Sequence, residues 1–464
     1  MAGMDSLDTA FAPTSIAIAG VGPLTTGRLY LQSLLKAGFR GKIYPLHPNG
    51  GEVDGFTVYP NVKDVTAPVE YVISCVPAAQ VPQLVSDCAQ KGVRVVALFT
   101  SGFSEVGSEE GRRLEAETVR LAQARGVRLI GPNCMGVYNP AAGLSFVFDF
   151  PTEPGRVGLI CQSGGHTIYF VRAGAKRGLR FSKVVSYGNA CDVDETDLLE
   201  YLAHDPDTEM VAAYIEGVRD AQRFRAVLSD LCARKPVAVL KGGTSHDGAR
   251  TALSHTSALA GSDEAWDAVF KHAGAIRAET LEELLDMAVT FQFMRLPQGK
   301  RLAMIGGGGG ASVLATDACA RNGFRLPPLS PAVDRAIRDS LDSDAGKVLT
   351  NPVELNMSPE SCYAIASSLL ASEDFDLLMC NLVNGQSPWP EFDVWQDIAC
   401  DALLKASARH PKGVAMVMQS DVSGDLERFL KLERRCYEAG VPVYHSMSGA
   451  CRAINRFIRY HAKA

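Results

Sequence analysis

Short apolar runs separated by helix-length segments set what this chain can fold into. Ser15–Gly20 (SIAIAG) ends in glycine, and Leu29–Ala37 follows with leucines at helical spacing. Lys42–Leu46, Glu70–Val76 (EYVISCV), Arg94–Phe99 and Arg128–Gly131 repeat the strand pattern, with a polar helix around Arg112–Arg125. A strand without a polar face is covered on both sides. Such strands linked by helices form a parallel sheet with right-handed crossovers.

A proline-rich stretch, Phe150-Pro151-Thr152-Glu153-Pro154-Gly155, closes this first unit, and the alternation restarts. Val157–Cys161, Lys183–Ser186, Met210–Glu216 and Pro236–Lys241 read as strands. Thr280-Leu281-Glu282-Glu283 is a capping box that opens a helix running to about Phe293. Arg295-Leu296-Pro297-Gln298-Gly299 reads as a second linker. A third unit begins with Arg301–Ile305 and the run Gly306–Gly310. Its later strands are expected at Asp376–Leu382, Val414–Gln419 and Pro442–Tyr444, with a helix starting at Ser358-Pro359. The 464 residues suit three domains. The fold class expected is α/β, with a Rossmann-like domain over 1–150 and two flavodoxin-like, doubly wound domains over 151–295 and 296–464.

Composition narrows the function. The net charge is −6 and no long basic run occurs, so nucleic acid is not an expected partner. The twelve cysteines are scattered, without a CxxC pair or zinc spacing; no metal site is expected, and a reducing cytoplasm is. No signal peptide is indicated, and no apolar run is long enough to span a bilayer.

Three segments carry chemistry. Gly20-Val21-Gly22-Pro23-Leu24-Thr25-Thr26-Gly27 follows the first strand, where glycines let a backbone approach a pyrophosphate and expose a helix start. Its spacing departs from a dinucleotide fingerprint. His47-Pro48-Asn49 stands where an acidic ribose ligand would, which disfavours NAD. Cys161-Gln162-Ser163-Gly164-Gly165-His166 lies between a strand and a helix, with small residues where backbone N–H groups face an anion. In Ala252-Leu253-Ser254-His255-Thr256-Ser257-Ala258-Leu259-Ala260-Gly261, one histidine sits among small and hydroxylated residues, after the glycine-containing run Lys241–Gly248. Glu216 ends a strand read as buried, an odd place for a carboxylate without a partner.

Taken in order, these motifs resemble the NDP-forming acyl-CoA synthetases, the superfamily that includes succinyl-CoA ligase. The resemblance extends over nearly the whole chain and is to the α subunit of the ADP-forming acetate–CoA ligase type. It implies a CoA-binding first domain, with contacts from Gly20, Gly22, Gly27, Val76, Pro77, Asn133 and Cys134. It implies a phosphohistidine at His255 on a mobile loop, oriented by Glu216, and a phosphate site at Ser163, Gly164 and Gly165. A carboxylate that accepts from one ring nitrogen fixes the tautomer and leaves the other nitrogen nucleophilic.

The mechanism so implied runs from ATP to His255, to a bound carboxylic acid as acyl phosphate, and then to the CoA thiol. No residues are left over for an ATP-grasp domain. A separate β subunit that binds ATP, ADP and Mg²⁺ is therefore expected, in a hetero-oligomer. The alternatives are a CoA-dependent acyl or carbamoyl transferase without a phosphohistidine, and a non-catalytic CoA-binding regulatory subunit. In the third unit, Gly306–Gly310 and Asn351-Pro352-Val353-Glu354 suit either another phosphate site or close helix packing.

Overall fold

The computed structural model describes residues 2–256, 262–306, 309–341, 349–354, 358–384, 391–420 and 426–462. The chain divides into two compact units, Met1–Ala175 with Arg180–Leu284, and Lys176–Leu179 with Leu285–Ala464. The changeover falls inside the helix Leu281–Phe293 that the capping box announces.

The first unit holds two large sheets. Strands β1 (Ser15–Ala19), β2 (Lys42–Leu46), β5 (Tyr71–Ser74), β6 (Val95–Leu98) and β7 (Arg128–Ile130) form one, all parallel, in the order β2-β1-β5-β6-β7. A small hairpin, β3 (Gly51–Val53) with β4 (Phe56–Val58), interrupts the run after β2. β1, β5 and β6 are buried at every residue, as their mainly apolar character requires, with Ser15 and Ser74 as polar exceptions at strand ends. The chain passes from β1 to β2 on one side and returns to the other side of β1 for β5. Such a reversal opens a crevice at the carboxyl ends of β1 and β5.

The second sheet runs β13-β12-β11-β9-β10-β8. Its members are β8 (Gly136–Tyr138), β9 (Val157–Cys161), β10 (Phe181–Ser186), β11 (Met210–Ile215), β12 (Val237–Lys241) and β13 (Ile276–Ala278). All are parallel except β8, which pairs antiparallel with β10. β8 lies within the first 150 residues, so the hydrogen-bonding boundary between the sheets falls before the proline-rich stretch. Here the strand order reverses between β9 and β11.

The second unit carries β14 (Leu302–Gly306), β15 (Leu377–Asn384), β16 (Gly413–Ser420) and β17 (Val443–Tyr444), parallel and in that order. Ile305, Leu378, Met416 and Ile365 belong to its apolar core. Arg177 donates to Asp286 at 2.6 Å and to the Val443 carbonyl at 2.7 Å, all within this unit. Among the described residues no helix is long and apolar enough to cross a membrane.

Candidate functional site

The β1/β5 crevice is a cleft of about 370 Å³ lined by Gly20, His47, Val76 and Gln80, among others. Gly20 takes φ +93°, and a Cβ there would fall 2.8 Å from the Cys75 carbonyl oxygen. A Cβ on Gly27 would fall 2.6 Å from the Gly20 carbonyl oxygen. These two glycines let the helix Thr26–Ala37 and the loop close onto the strand ends.

The loop amides have partners already. Gly20 and Val21 both donate to the Leu46 carbonyl, and the Gly22 N–H donates to Thr25 Oγ1 at 2.8 Å. Those three amides are therefore engaged within the chain. His47 Nδ1 accepts from the Asn49 amide at 3.3 Å. Val76 borders the cleft, and its carbonyl accepts from Thr100 Oγ1 at 2.8 Å. Pro77 opens the 3-10 turn Ala78–Gln80.

Asn133 has φ +56°, and its amide donates to the Thr100 carbonyl at 2.9 Å. Cys134 departs from the expectation of a CoA contact. Its side chain is buried, with Sγ donating to the Leu98 and Ile130 carbonyls at 3.4 and 3.5 Å. Burial pushes this thiol up to about 12. It is a core group, because the turn after β7 points the side chain back beneath the sheet ends.

The β9/β11 crevice holds Gln162, Ser163 and Glu216. Glu216 is only 3% exposed. Its amide donates to Gln162 Oε1 at 2.7 Å, and Tyr214 Oη donates to Glu216 Oε1 at 3.1 Å. Lys241, at the end of β12, donates Nζ to the Glu216 carbonyl at 2.7 Å and also to the Gly242 carbonyl. Burial lowers Lys241 to about 8, against the opposing charge of Glu216. Sequence reasoning passed over Lys241 and Gln162 as site residues. A lysine closing the run Val-Ala-Val-Leu was the available signal.

Gly164 starts the helix Gly164–Lys176, whose first amides have no partner within the helix. Ser163 Oγ accepts from the His166 amide at 3.4 Å, and the Ser163 carbonyl accepts from Thr167 Oγ1 at 2.7 Å. Gly165 is exposed, and the nearest atom to a Cβ built there is Ser163 Oγ at 4.0 Å. The His166 ring stands edge-on to Tyr214, with centroids 4.8 Å apart. Ser163, Gly164 and Gly165 thus share the strand-end level of Glu216.

The two sheets of this unit meet at their strand-end loops. Asn189 Nδ2 donates to Glu105 Oε2 at 2.7 Å and to Glu115 Oε2 at 3.1 Å. Met135 donates its amide to Ser186 Oγ at 3.1 Å and accepts from Tyr30 Oη at 2.9 Å. The helix His246–Thr256 lies against the turn Ser104–Val106. The segment read as a mobile loop is therefore helical up to Thr256. His255 is in its last turn, and the His255 side chain lies outside the described residues.

In the second unit, Glu354 Oε1 accepts from the Gly309 amide at 3.3 Å, at the start of the helix Gly309–Arg321. A carboxylate there occupies the place a phosphate would take. Asn351 accepts from the Met304 amide at 2.9 Å and donates to the Leu302 carbonyl at 2.8 Å. Gly306 takes φ +84°, and a Cβ there would fall 2.5 Å from the Asn381 carbonyl oxygen. Close packing accounts for Gly306, whereas a Cβ on Gly309 or Gly310 would meet no neighbour. Gly307 and Gly308 lie outside the described residues.

Comparison with known proteins gives the same order of parts. A family described as a CoA binding domain matches residues 14–140, and one described as a succinyl-CoA ligase like flavodoxin domain matches 154–291. The chain is 40% identical over 329 residues to the α subunit of acetate–CoA ligase [ADP-forming] I from Pyrococcus furiosus, covering 69% of this chain and 71% of that one. It is 33% identical over 459 residues to acetate–CoA ligase [ADP-forming] I of Archaeoglobus fulgidus, covering 98% of this chain and 64% of that longer relative. Among solved structures it is similar to the dinucleotide-forming acetyl-coenzyme A synthetase 1 of Candidatus Korarchaeum cryptofilum in complex with phosphate and ADP. There the TM-score is 0.82 and the identity 30%, over 98% of this chain and 97% of that one.

Proposed function

The chain belongs to the family of ADP-forming acetate–CoA ligase α subunits, and we propose that it makes an acyl-CoA through a phosphohistidine at His255. The observation that carries this reading is Glu216. A carboxylate 3% exposed at the β9/β11 switch point is held through its amide, its carbonyl and its side chain. Such an arrangement suits a group that must accept a hydrogen bond from an imidazole in one fixed orientation. The His246–Thr256 helix begins a few residues after Lys241, which is bonded to that same strand end.

In the reaction proposed, the phosphoryl group leaves the His255 ring nitrogen for a carboxylate oxygen of the acid. The CoA thiol then displaces phosphate from the acyl carbon, and its proton passes to solvent. Storing the phosphoryl group on nitrogen divides one difficult condensation into easier steps. The amides of Gly164 and Gly165, at the positive end of their helix, stabilise the moving charge. Ser163 caps that helix.

The β1/β5 cleft suits CoA, since Gly20 and Gly27 let the loop and helix close onto the strand ends and Val76, Pro77 and His47 border it or follow its strands. The amide of Gly22 and the thiol of Cys134 are engaged elsewhere, so neither is assigned a contact. ATP, ADP and Mg²⁺ are assigned to a separate ATP-grasp β subunit, and the assembly to a cytoplasmic hetero-oligomer. In support, the longer A. fulgidus relative carries further sequence beyond the match.

The test runs the last steps backwards. Full-length chain is mixed with labelled inorganic phosphate and a panel of acyl-CoAs starting from acetyl-CoA. An acid-labile, base-stable label that is absent from His255→Ala is expected. Folded wild-type chain that takes no label from any of the panel overturns the reading.

A further inference from the structure

We propose that Lys241 is a positioning residue for phosphoryl transfer, clamping the Glu216 strand end to the end of β12, from which the chain leads on to the helix that carries His255. The inference rests on the roles given above to Glu216 and His255.

β12 is buried along its whole length, and Lys241 is 5% exposed. An ammonium in such a place needs every donor answered. Nζ bonds the carbonyl of Glu216, the residue after β11, and the carbonyl of Gly242, the first residue after β12. It also stands over the Trp266 ring, 5.1 Å from the centroid, where the ring face attracts a cation. One cation therefore ties together two chain ends that are 25 residues apart.

The neighbouring bonds close this clamp. Gly242 donates its amide to the Ile215 carbonyl at 2.9 Å. A Cβ on Gly242 would fall 2.5 Å from Tyr214 Oη, the hydroxyl that donates to the Glu216 carboxylate. Any shift of the Lys241–Gly242 peptide is thus transmitted to Tyr214 and Glu216. The helix His246–Thr256 begins four residues after Gly242.

The charged groups facing Lys241 are Glu216 at the end of β11, Asp263 on the helix Asp263–Ala273, and Arg277 on β13. Arg277 is itself bonded to Asp263 at 2.5 Å. Burial brings Lys241 to about 8, opposed by Glu216 and Asp263 and assisted by Arg277. An uncharged amine donates more weakly than an ammonium, so the clamp loosens as pH rises through that value.

The experiment follows the rate of labelling by inorganic phosphate, using the acyl-CoA that labels wild-type chain, at a series of pH values spanning about 8. Wild-type labelling is expected to slow above that pH. Lys241→Arg, which keeps its charge, is expected to label without that decline. Lys241→Met is expected to label about tenfold to a hundredfold more slowly, as a misplaced reacting group does. Its affinity for CoA, read by direct titration, stays at the wild-type value because the cleft lies on the other sheet. The inference is overturned if Lys241→Arg keeps the wild-type decline, or if Lys241→Met labels at the wild-type rate. If Lys241→Met does not fold, the Lys241→Arg profile decides alone. Wild-type chain that takes no label overturns the phosphohistidine reading first, and this one with it.

Discussion

The side chain of Met135 lies directly against the Cα of Gly164: a methyl group on Gly164 would fall 2.9 Å from Met135 Cγ. Met135 is on the turn after β7, and Gly164 opens the helix proposed to receive phosphate. The two sheets of the first unit thus touch at the residue whose amide the mechanism uses. Gly164→Ala is expected to destabilise the chain by about 1–3 kcal/mol through overpacking. It should also slow phosphate labelling, because relief comes by displacing the helix start. Met135→Ala in the same chain should recover much of both losses. Denaturant melts and labelling rates of the two single variants and the double variant measure this coupling; additive losses would show that the contact is unimportant.

Cys134 yields a prediction opposite to the one its motif suggests. Its thiol is buried, bonded to two carbonyls and pushed up to about 12. Cys134→Ala should leave CoA affinity within about twofold of wild type, while lowering stability by about 1–2 kcal/mol for the buried atom removed. Calorimetric titration with CoA and a thermal melt check both halves. A large loss of CoA affinity with unchanged stability would place the sulfur in the cleft.

Much of the fold was legible because buried parallel strands announce themselves. Ile16–Ala19 and Val157–Cys161 lack polar side chains, and short runs of this kind bounded by turn residues suit strands covered on both faces. β8 and β13 were missed: each has three residues, and each is defined by its partner strand rather than by a pattern of its own. The site divides in the same way. Ser163, Gly164 and Glu216 could be found as motif residues, but the Gln162–Glu216 bond joins positions 54 apart, and no local rule reports it. The burial of the Cys134 side chain was not legible, because a motif fixes where the chain goes and leaves open which way a side chain enters. The same limit hid the contact of the Glu354 carboxylate with the Gly309 amide in the second unit.

Glu195 should make stability depend on pH. It is 1% exposed, and among the described residues its Oε1 has no hydrogen-bond partner. Burial, with Asp194 beside it, raises its carboxyl from the ordinary 4.5 to about 8. A value raised by folding means that the fold favours the protonated form. Its stabilising contribution is complete below about 4.5 and declines as pH rises to about 8, beyond which it changes no further. Glu195→Gln stays neutral throughout. The melting temperature of the variant should therefore gain on wild type steadily between those two pH values. Parallel melting curves for the two proteins across that interval would show that Glu195 ionises without cost.

The Tyr214–Glu216 bond separates orientation from charge at the proposed phosphohistidine site. Tyr214 Oη donates to Glu216 Oε1 at 3.1 Å, and burial together with the carboxylate raises the phenol well above its usual range. It therefore remains a donor at every working pH. Tyr214→Phe removes one hydrogen bond to a charged group, worth about 1.5–3 kcal/mol where its effect on the placement of Glu216 is realised only in the transition state. Labelling should then fall by about tenfold to a hundredfold, while the carboxylate and its charge remain. Glu216→Gln removes the charge as well, so the variant should lose more, because an amide stabilises the imidazolium-like phosphorylated ring far less than a carboxylate does. In the Glu216→Gln background, Tyr214→Phe should cost little more, since the hydroxyl then has no carboxylate to hold. Four labelling rates complete that cycle, and independent effects of the two substitutions would show that Tyr214 does not act through Glu216.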